Sequence, residues 1–275
     1  MTTNESLLQA FKNLYQIDLS AYDEDFLTKI VQQRMDDTRC LIPDYYIGLL
    51  QNDPGEVKLL QNALKVAYSE FFRNPLTYIV LEKMVLPDLI SEKQRQNKKE
   101  IRIWTMATAT GQEAYTLAII LQELMEIYKP EKLSFRIFAT DHDQQLINQA
   151  KRGVYSIQSL NKMNNGRLKK WFVEESGHYR INPILTKRID FSVFDLFDTE
   201  CTCPPNSIFG DFDLILCSNL LFYYKEGYRN QILNKAKLCL TKEGYIVTGE
   251  TERDMLPPLH YKELYPHSAI FSMIR

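Results

Sequence analysis

The sequence lacks several patterns that would each assign the chain to a familiar class of protein. No stretch reaches the ~18 consecutive apolar residues that a membrane-spanning helix needs. The start of the chain, Met1 to Ser6, is polar and has no apolar core of a signal peptide. Five cysteines, an odd number, favour reduced thiols over a disulfide framework. We therefore expect a cytoplasmic protein that does not insert into a membrane.

An excess of charge of either sign is also missing. The 33 Lys and Arg residues nearly balance the 35 Asp and Glu residues, which leaves a net charge of −2. A chain so balanced has no overall positive field that attracts nucleic acid. Cys201 and Cys203 lie too close together for a usual zinc site, and no matching pair of cysteines follows them. We therefore expect neither a nucleic-acid partner nor a bound metal.

The sequence is rich in hydrophobic residues, and its pattern divides into a helical part and an α/β part. Hydrophobic residues make up 45% of its 275 residues, and this length suits one large domain plus a small one. Residues 1–90 show helical spacing and predict a small all-helical N-terminal domain. The polar, charged residues 91–100 predict an exposed linker. The apolar stripes of the helical part are Leu7, Leu8, Phe11 and Leu14, then Phe26, Ile30 and Val31, then Tyr45, Tyr46, Leu49 and Leu50.

The remaining residues, 101–275, alternate strands with helices and predict an α/β domain. Such alternation indicates a mostly parallel sheet covered by helices on both faces. Aromatic residues around Gly177 predict a short β-hairpin insertion at about residues 168–188. The predicted strands are 101–105, 134–140, 190–194, 212–217 and 245–249, with helices at 113–128, 144–152 and 228–239, a turn at 241–244 and a closing antiparallel pair within 259–275.

The most informative segment is the turn between the first strand and helix of this domain. Ala107 to Gly111 contain nothing larger than threonine, and helical spacing begins at Glu113. Small residues there let a ligand lie against the backbone, where free helix N–H groups meet a negative group. Asp141 ends the next strand, where a carboxylate can accept both hydroxyls of a ribose. One glycine is a weak fingerprint, so an ordinary β–turn–helix unit stays an alternative.

Polar side chains in three other segments suit the same site. Ser69 offers a hydroxyl and Arg73 a planar cation, both able to grip a carboxylate. Asp195 follows a strand, where its carboxylate suits the exocyclic amine of adenine. Asn219 and Tyr223 follow a buried strand and suit polar contact with a substrate. Taken singly, each segment also fits a plain interpretation, such as a helix cap, a surface arginine or a loop carboxylate.

The order of these motifs resembles that of the chemotaxis receptor methyltransferases, the CheR family, over roughly residues 10–275. The resemblance implies transfer of a methyl group from S-adenosylmethionine to a receptor glutamate, forming a methyl ester. It also implies a helical N-terminal domain and a Rossmann-like methyltransferase domain with a short β insertion. The matching segments are Ser-x-Phe-Phe-Arg, Trp-x-x-Ala-x-x-Thr-Gly-x-Glu-x-Tyr-Thr, Ala-Thr-Asp-x-Asp, Gly-x-Tyr, Phe-Asp-Leu-Ile-x-Cys-x-Asn-Leu-x-x-Tyr and Gly-x-x-Glu.

This resemblance implies roles for individual residues. Arg73 matches an arginine that approaches both cofactor and substrate, and Tyr223 a tyrosine at the site of methyl transfer; these two are the predicted catalytic residues. Glu113 matches the acid near the methionine amino group and Asp141 the ribose-binding acid. Asp195 takes the place of an Asn near the adenine. The predicted cofactor-binding residues are Ser69, Arg73, Ala107, Gly111, Glu113, Asp141, Asp195, Leu196, Asn219 and Leu220.

The chain departs from the family pattern at positions that bear on the methyl acceptor. The family's Cys-Arg-Asn reads Cys217-Ser-Asn219 here, which removes a cation beside the reaction centre, and Ala67 replaces an Asn. The helix with Arg34 and Arg39 is less positive than the family's receptor-docking helix. Two alternatives therefore remain: a methyltransferase of this fold with another protein or small-molecule acceptor, and a protein that binds S-adenosylmethionine without transfer. An NAD or nucleotide-sugar enzyme is disfavoured because Gly-x-Gly-x-x-Gly is absent.

Overall fold

A computed structural model describes Lys12, Tyr15 and residues 19–65, 69–207, 209–256 and 260–274 of the protein. The chain divides into two compact units, Met1–Val66 with Phe222–Asn230 and Ala67–Leu221 with Gln231–Arg275. Two sequence predictions lie outside the described residues: the apolar stripe at Leu7, Leu8, Phe11 and Leu14, and the departure at Ala67.

The first unit is helical, as its apolar spacing predicts. Its helices are α1 (Glu24–Thr38), α2 (Pro43–Asn52) and α3 (Pro54–Leu64). Asp23 and Asp53 precede α1 and α3, and each side chain accepts hydrogen bonds from free N–H groups of the first helical turn. Val31, Tyr46 and Leu50 of the predicted stripes are buried in one shared core with Leu27 and Leu60. Tyr45 was also predicted to belong to an apolar stripe, but it is 70% exposed.

The second unit contains the strands and most of the remaining helices. Its strands are β1 (Glu100–Thr105), β2 (Ser134–Asp141), β3 (Val154–Ser156), β4 (Phe172–Glu175), β5 (His178–Ile181), β6 (Ile189–Val193), β7 (Phe212–Cys217), β8 (Leu240–Thr248), β9 (Tyr261–Glu263) and β10 (Ile270–Met273). The helices are α4 (Pro75–Val80), a π-helical turn (Leu81–Val85), α5 (Leu86–Arg95), α6 (Gln112–Tyr128), α7 (Gln144–Arg152), α8 (Asn165–Trp171), α9 (Pro183–Thr186) and α10 (Glu226–Cys239), whose first residues belong to the first unit. Across the described ranges, every helix is too short or too polar to cross a membrane.

Seven strands form one sheet in the order β6-β2-β1-β7-β8-β10-β9. The first five are parallel to one another, and β10 runs antiparallel to both of its neighbours. Ile103 of β1 lies between Ile137 of β2 and Leu214 of β7, and all three are fully buried. Sheets of this kind bind ligands outside the carboxyl ends of the strands, where the strand order reverses. Here the order reverses at β1, with β2 on one side and β7 on the other. The predicted α/β fold with a mostly parallel sheet is confirmed.

A second, antiparallel sheet lies between α7 and β6 in the chain and has the strand order β3-β5-β4. Strands β4 and β5 form the predicted hairpin, which turns at Ser176 and Gly177 with left-handed φ values of 51° and 79°. Strand β3, which the sequence did not predict, pairs with β5 and completes the insertion. The predicted β insertion is therefore confirmed, with one additional strand.

The structure differs from the sequence predictions in two places. Ser91 to Arg95 of the predicted linker form the last part of α5, and Lys93 makes an ion pair with Asp213 of β7 at 2.6 Å. This helix belongs to the second unit, so the two units separate earlier in the chain than the linker. The predicted turn at 241–244 lies within β8, at a register shift where Leu240 pairs with Phe212 and Tyr245 pairs with Leu214. The domain limits at residues 90 and 101 stay a prediction.

Candidate functional site

Three residues of the loop between β1 and α6 have a left-handed backbone, which glycine adopts freely and alanine only at a cost. Ala107, Ala109 and Gly111 have left-handed φ values of 50°, 49° and 91°. A Cβ added to Gly111 would lie 2.9 Å from the Cβ of Ala150, so any side chain there would collide with α7. This strain-prone loop leads directly into the N–H groups of the first turn of α6, as the sequence predicts.

Asp141 lies at the carboxyl end of β2, beside this loop, and is only 5% exposed. Its Oδ2 atom accepts a hydrogen bond from the Ala109 N–H at 2.9 Å, and Oδ1 accepts one from the Asp143 N–H at 3.0 Å. The exposed imidazole of His142 lies 3.3 Å from the same Oδ1. Asp141 therefore fixes the loops after both β1 and β2, a structural task that its sequence position alone does not reveal.

Asp195 and Leu196 follow β6, the neighbour of β2 in the sheet. The Phe194 N–H donates to the Asp141 carbonyl at 3.0 Å, which brings the two strand ends together. The Asp195 carboxylate is exposed and accepts a hydrogen bond from the Phe197 N–H at 2.9 Å, whereas Leu196 is buried. The structure thus places these two predicted cofactor-binding residues at the same edge of the sheet as Asp141.

Glu113 is the second residue of α6 and is buried. Burial raises the pKa of its carboxyl to about 7, because the charged form loses its hydration. The nearby Arg73 cation and a hydrogen bond from the Ser218 hydroxyl act in the opposite direction, and the charge of Glu252 adds to the rise. Glu113 therefore interacts with the Arg73 cation and, through the Ser218 hydroxyl, with the end of β7. Ser218 takes part in the site, at the position where the family pattern has an arginine.

Arg73 ends a segment that packs against α6 in the second unit. The Phe72 N–H donates to the Thr116 hydroxyl of α6 at 3.3 Å, and Phe72 has a left-handed φ of 56°. Lys162 donates to the Arg73 carbonyl at 2.9 Å. These contacts bring the Arg73 cation near Glu113. Ser69 is half-buried four residues earlier, and its place in the site stays a prediction.

The end of β7 is organised by Glu252, a fully buried carboxylate in the 3-10 turn after β8. It accepts hydrogen bonds from the N–H groups of Asn219 at 2.7 Å, Leu221 at 2.6 Å and Gly249 at 2.7 Å. Asn219 has a left-handed φ of 55°. The sequence showed only a Gly-x-x-Glu segment after a strand, and that pattern was the one signal for Glu252.

The side chain of Asn219 leaves an acceptor available. Among the described residues, its buried Oδ1 atom has no hydrogen-bond partner. A Cβ on Gly249 would lie 2.6 Å from the Asn219 Nδ2, so glycine leaves room for this amide. Leu220, the next residue, is buried. A buried acceptor without a partner is costly unless a ligand or water supplies a donor, so Asn219 marks a place where a bound molecule fits.

Tyr223, the second predicted catalytic residue, belongs to the first unit. Its carbonyl accepts a hydrogen bond from the Asp23 N–H at 2.8 Å, and its ring meets the edge of Phe26 with centroids 4.9 Å apart. These contacts hold Tyr223 beside α1. Its role in the reaction stays a prediction.

Together, the second unit brings three buried carboxylates, one amide oxygen and one cation to the carboxyl ends of its strands. Glu252 already accepts three backbone hydrogen bonds. Glu113 and Asp141 are acceptors for amino and hydroxyl groups, and the glycine-containing loops admit a ligand close to the backbone. This donor and acceptor set fits a cofactor that contains a ribose and an amino acid group. None of these side chains is a thiol or imidazole nucleophile, so the set suits binding and orientation.

A cleft of about 830 Å³ lies at the opposite, amino edge of the sheet. Its buried carboxylate is paired: Asp213 forms an ion pair with Lys93 at 2.6 Å and accepts from the Arg102 backbone N–H at 3.0 Å. Size alone does not make this cleft the functional site, because the left-handed loops and the unpartnered Asn219 oxygen lie at the other edge.

Comparisons with known proteins agree with this geometry. Residues 67–262 match the family model described as the CheR methyltransferase, SAM binding domain. The chain is 29% identical over 210 residues to a chemotaxis protein methyltransferase of Borreliella burgdorferi, covering 75% of this chain and 72% of that protein. It is 28% identical over 211 residues to chemotaxis protein methyltransferase 2 of Pseudomonas aeruginosa, covering 75% and 70%. For the Escherichia coli chemotaxis protein methyltransferase, the identity is 25% over 214 residues, covering 76% and 69%.

Proposed function

Because the chain belongs to the CheR methyltransferase family, we propose that it methylates glutamate side chains in the cytoplasmic domain of a chemotaxis receptor. Its cofactor is S-adenosylmethionine, and its activity is that of a methyltransferase. The observation that carries the proposal is the family match over residues 67–262, which covers most of the unit that holds Glu113, Asp141 and Asn219. A cytoplasmic location, where such a receptor domain lies, is part of the same proposal.

The cofactor is proposed to lie along the carboxyl edge of the sheet. Asp141 would accept hydrogen bonds from the ribose hydroxyls, and Glu113 would accept one from the methionine amino group. Asp195 and Leu196 would hold the adenine, one through its amine and the other through apolar contact. The bends at Ala107 and Gly111 let the backbone approach the ligand closely. Ser69, Asn219 and Leu220 complete the proposed binding set.

When bound, S-adenosylmethionine supplies a methyl group on a positively charged sulfur, which is already a strong electrophile. The protein therefore needs to position the acceptor more than to activate it. A glutamate carboxylate is ionised at neutral pH and needs no base to remove a proton. We propose that Arg73 orients this carboxylate through its planar cation and that Tyr223 contacts it near the methyl group.

Two specific observations favour an acceptor other than a chemotaxis receptor. Arg34 of α1 is tied to Glu56 at 2.7 Å and to Asp37 at 2.8 Å, so its charge is engaged within the first unit. Ser218 supplies a hydroxyl to Glu113 where the family pattern has a cation. Both features reduce the positive charge available for an acidic receptor surface, and they favour another protein or a small molecule as acceptor. A cofactor-binding protein without transfer is the third hypothesis.

The experiment that separates these hypotheses follows radioactive methyl transfer. The protein is incubated with S-adenosylmethionine labelled in its methyl group and with the purified cytoplasmic domain of a chemotaxis receptor from the same cell. We expect label on the receptor fragment that is released as methanol by mild base, because carboxyl methyl esters hydrolyse readily. A fragment in which the modified glutamates are replaced by alanine is the matched control. Label that survives base supports another acceptor, and tight cofactor binding without label supports the non-catalytic hypothesis.

A further inference from the structure

Two cysteine thiols lie in direct contact away from the site described above. Cys203 lies in the loop between β6 and β7, and Cys239 is the last residue of α10. Their sulfur atoms are 2.9 Å apart, although both cysteines are free thiols. A disulfide bond requires about 2.05 Å between the sulfurs, so a small approach is enough to form one.

The surroundings of the two sulfurs hold the loop against the helix. A Cβ added to Gly210 would lie 3.1 Å from the Cys203 sulfur and 3.2 Å from the Cys239 Cα, so glycine makes room for the pair. The Lys235 ammonium group of α10 donates to the carbonyls of Asp198 at 2.6 Å and Cys201 at 2.8 Å. The thiols therefore face each other in a segment that other contacts already anchor.

We propose that Cys203 and Cys239 form an intramolecular disulfide when the protein meets hydrogen peroxide. The Cys203 sulfur attacks one peroxide oxygen, the O–O bond breaks, and a sulfenic acid and one water result. The Cys239 sulfur then displaces the hydroxyl group from that sulfenic acid, which leaves as a second water with the Cys239 proton. Two thiols and one peroxide thus give one disulfide and two waters, and the loop becomes covalently tied to α10.

The order of the two steps follows from the environment of each thiol. Cys203 is half-buried, so a small oxidant can reach it, whereas Cys239 is only 1% exposed. Burial and the neighbouring Cys203 sulfur raise the pKa of the Cys239 thiol, and the Lys235 charge acts in the opposite direction. Cys239 therefore reacts slowly with free peroxide but is already in contact with the sulfur that carries the sulfenic acid. Cys203 is therefore the attacking thiol and Cys239 the resolving one.

The test uses the full-length protein, one equivalent of hydrogen peroxide, alkylation of the remaining thiols and tryptic peptide mass spectrometry. A linked peptide that joins residues 189–225 to residues 238–242 is expected, lighter by two hydrogen atoms than its separate parts and split by dithiothreitol. The peptide 189–225 also contains Cys201 and Cys217, so the linked cysteine must be identified within it. The matched variant Cys201→Ser removes the first of these, and a protease that cleaves before aspartate places Cys217 in a separate peptide. Wild type and Cys201→Ser give the link; Cys203→Ser and Cys239→Ser do not.

Three results would overturn the proposal. One is alkylation of both Cys203 and Cys239 after peroxide treatment, which means that the pair does not react. Another is a link through Cys201 that disappears in Cys201→Ser, which assigns the reactivity to the exposed thiol. The third is sulfinic or sulfonic acid at Cys203 with Cys239 still alkylated, which means that Cys239 does not resolve the intermediate.

Discussion

The Glu252 carboxylate holds the backbone of Asn219 in place: its Oε2 atom lies 2.7 Å from the Asn219 nitrogen, whose N–H donates to it. The same oxygen accepts from Gly249, and Oε1 accepts from Leu221. One buried side chain thereby joins the ends of β7 and β8 and stabilises the left-handed backbone of Asn219. The orientation of the Asn219 amide depends on this carboxylate, which does not itself need to touch a ligand.

Glu252→Ala should destabilise the protein by about 3 kcal/mol or more, because three buried N–H groups lose their acceptor at roughly 1–3 kcal/mol each. The free energy of unfolding from urea denaturation measures this change. Glu250→Ala, an exposed neighbour in the same turn, is the control and should stay within about 0.5 kcal/mol of wild type. If the Glu252→Ala variant unfolds too readily to study, Glu252→Gln should bind S-adenosylhomocysteine more weakly. Equal stability of both alanine variants would show that Glu252 does not organise this edge.

Asp141→Asn should weaken the binding of S-adenosylhomocysteine by about 10-fold to 100-fold. The loss of one charge-assisted hydrogen bond corresponds to about 1.5–3 kcal/mol. The amide keeps one oxygen, which can accept from the N–H of Ala109 or from that of Asp143, so one of the two loop contacts is retained that an alanine variant would lose. Isothermal titration calorimetry gives the affinity. Asp190→Asn, at the amino end of β6, is the matched control, and similar affinities for the two variants would remove Asp141 from the cofactor site.

Replacement of Glu113 by Gln should flatten the dependence of stability on pH. The folded-state pKa of Glu113 is raised from 4.5 to about 7, so its contribution is fully favourable below pH 4.5 and is lost as pH rises through 7. The wild-type free energy of unfolding should therefore fall by up to about 3 kcal/mol over that window relative to Glu113→Gln. Urea denaturation at several pH values tests the difference. Parallel pH profiles for the two proteins contradict a raised pKa at Glu113.

Arg73→Ala should lower methyl transfer by about 100-fold or more while the protein stays folded, since a lost charge-assisted contact in the reaction is worth about 3 kcal/mol. Initial rates with the labelled cofactor and circular dichroism report the two properties separately. Arg95→Ala removes an arginine that is 76% exposed and paired with Glu92 in the same helix, and it should leave the rate unchanged. Unchanged turnover in Arg73→Ala would reject its proposed role in orienting the acceptor.

Much of the second unit could be predicted because local patterns and tertiary structure agree there. The alternation of strands and helices follows from apolar spacing, and Gly177 indicates the turn of the inserted hairpin. Asp141 could be placed at the carboxyl end of its strand by counting along the pattern. Its two hydrogen bonds to loop N–H groups could not, because they depend on how the loops after β1 and β2 meet.

Two local details depend on tertiary contacts that composition does not show. Ser91 to Arg95 are polar and mostly exposed, yet they continue α5, and Lys93 pairs with the buried Asp213. Residues 241–244 contain turn-forming residues and lie within β8. They fall at the register shift between the Leu240–Phe212 pair and the Tyr245–Leu214 pair. The role of Glu252 was not predicted for the same reason. Its three partners are backbone N–H groups, and those of Asn219 and Leu221 are distant in the sequence.

A crystal structure of the protein with S-adenosylhomocysteine would show where the cofactor lies. We expect the ribose hydroxyls on Asp141, the amino group on Glu113 and the sulfur turned toward Arg73, all at the carboxyl edge of the sheet. A ligand seated instead in the cleft at the amino edge, beside Lys93 and Asp213, would contradict it.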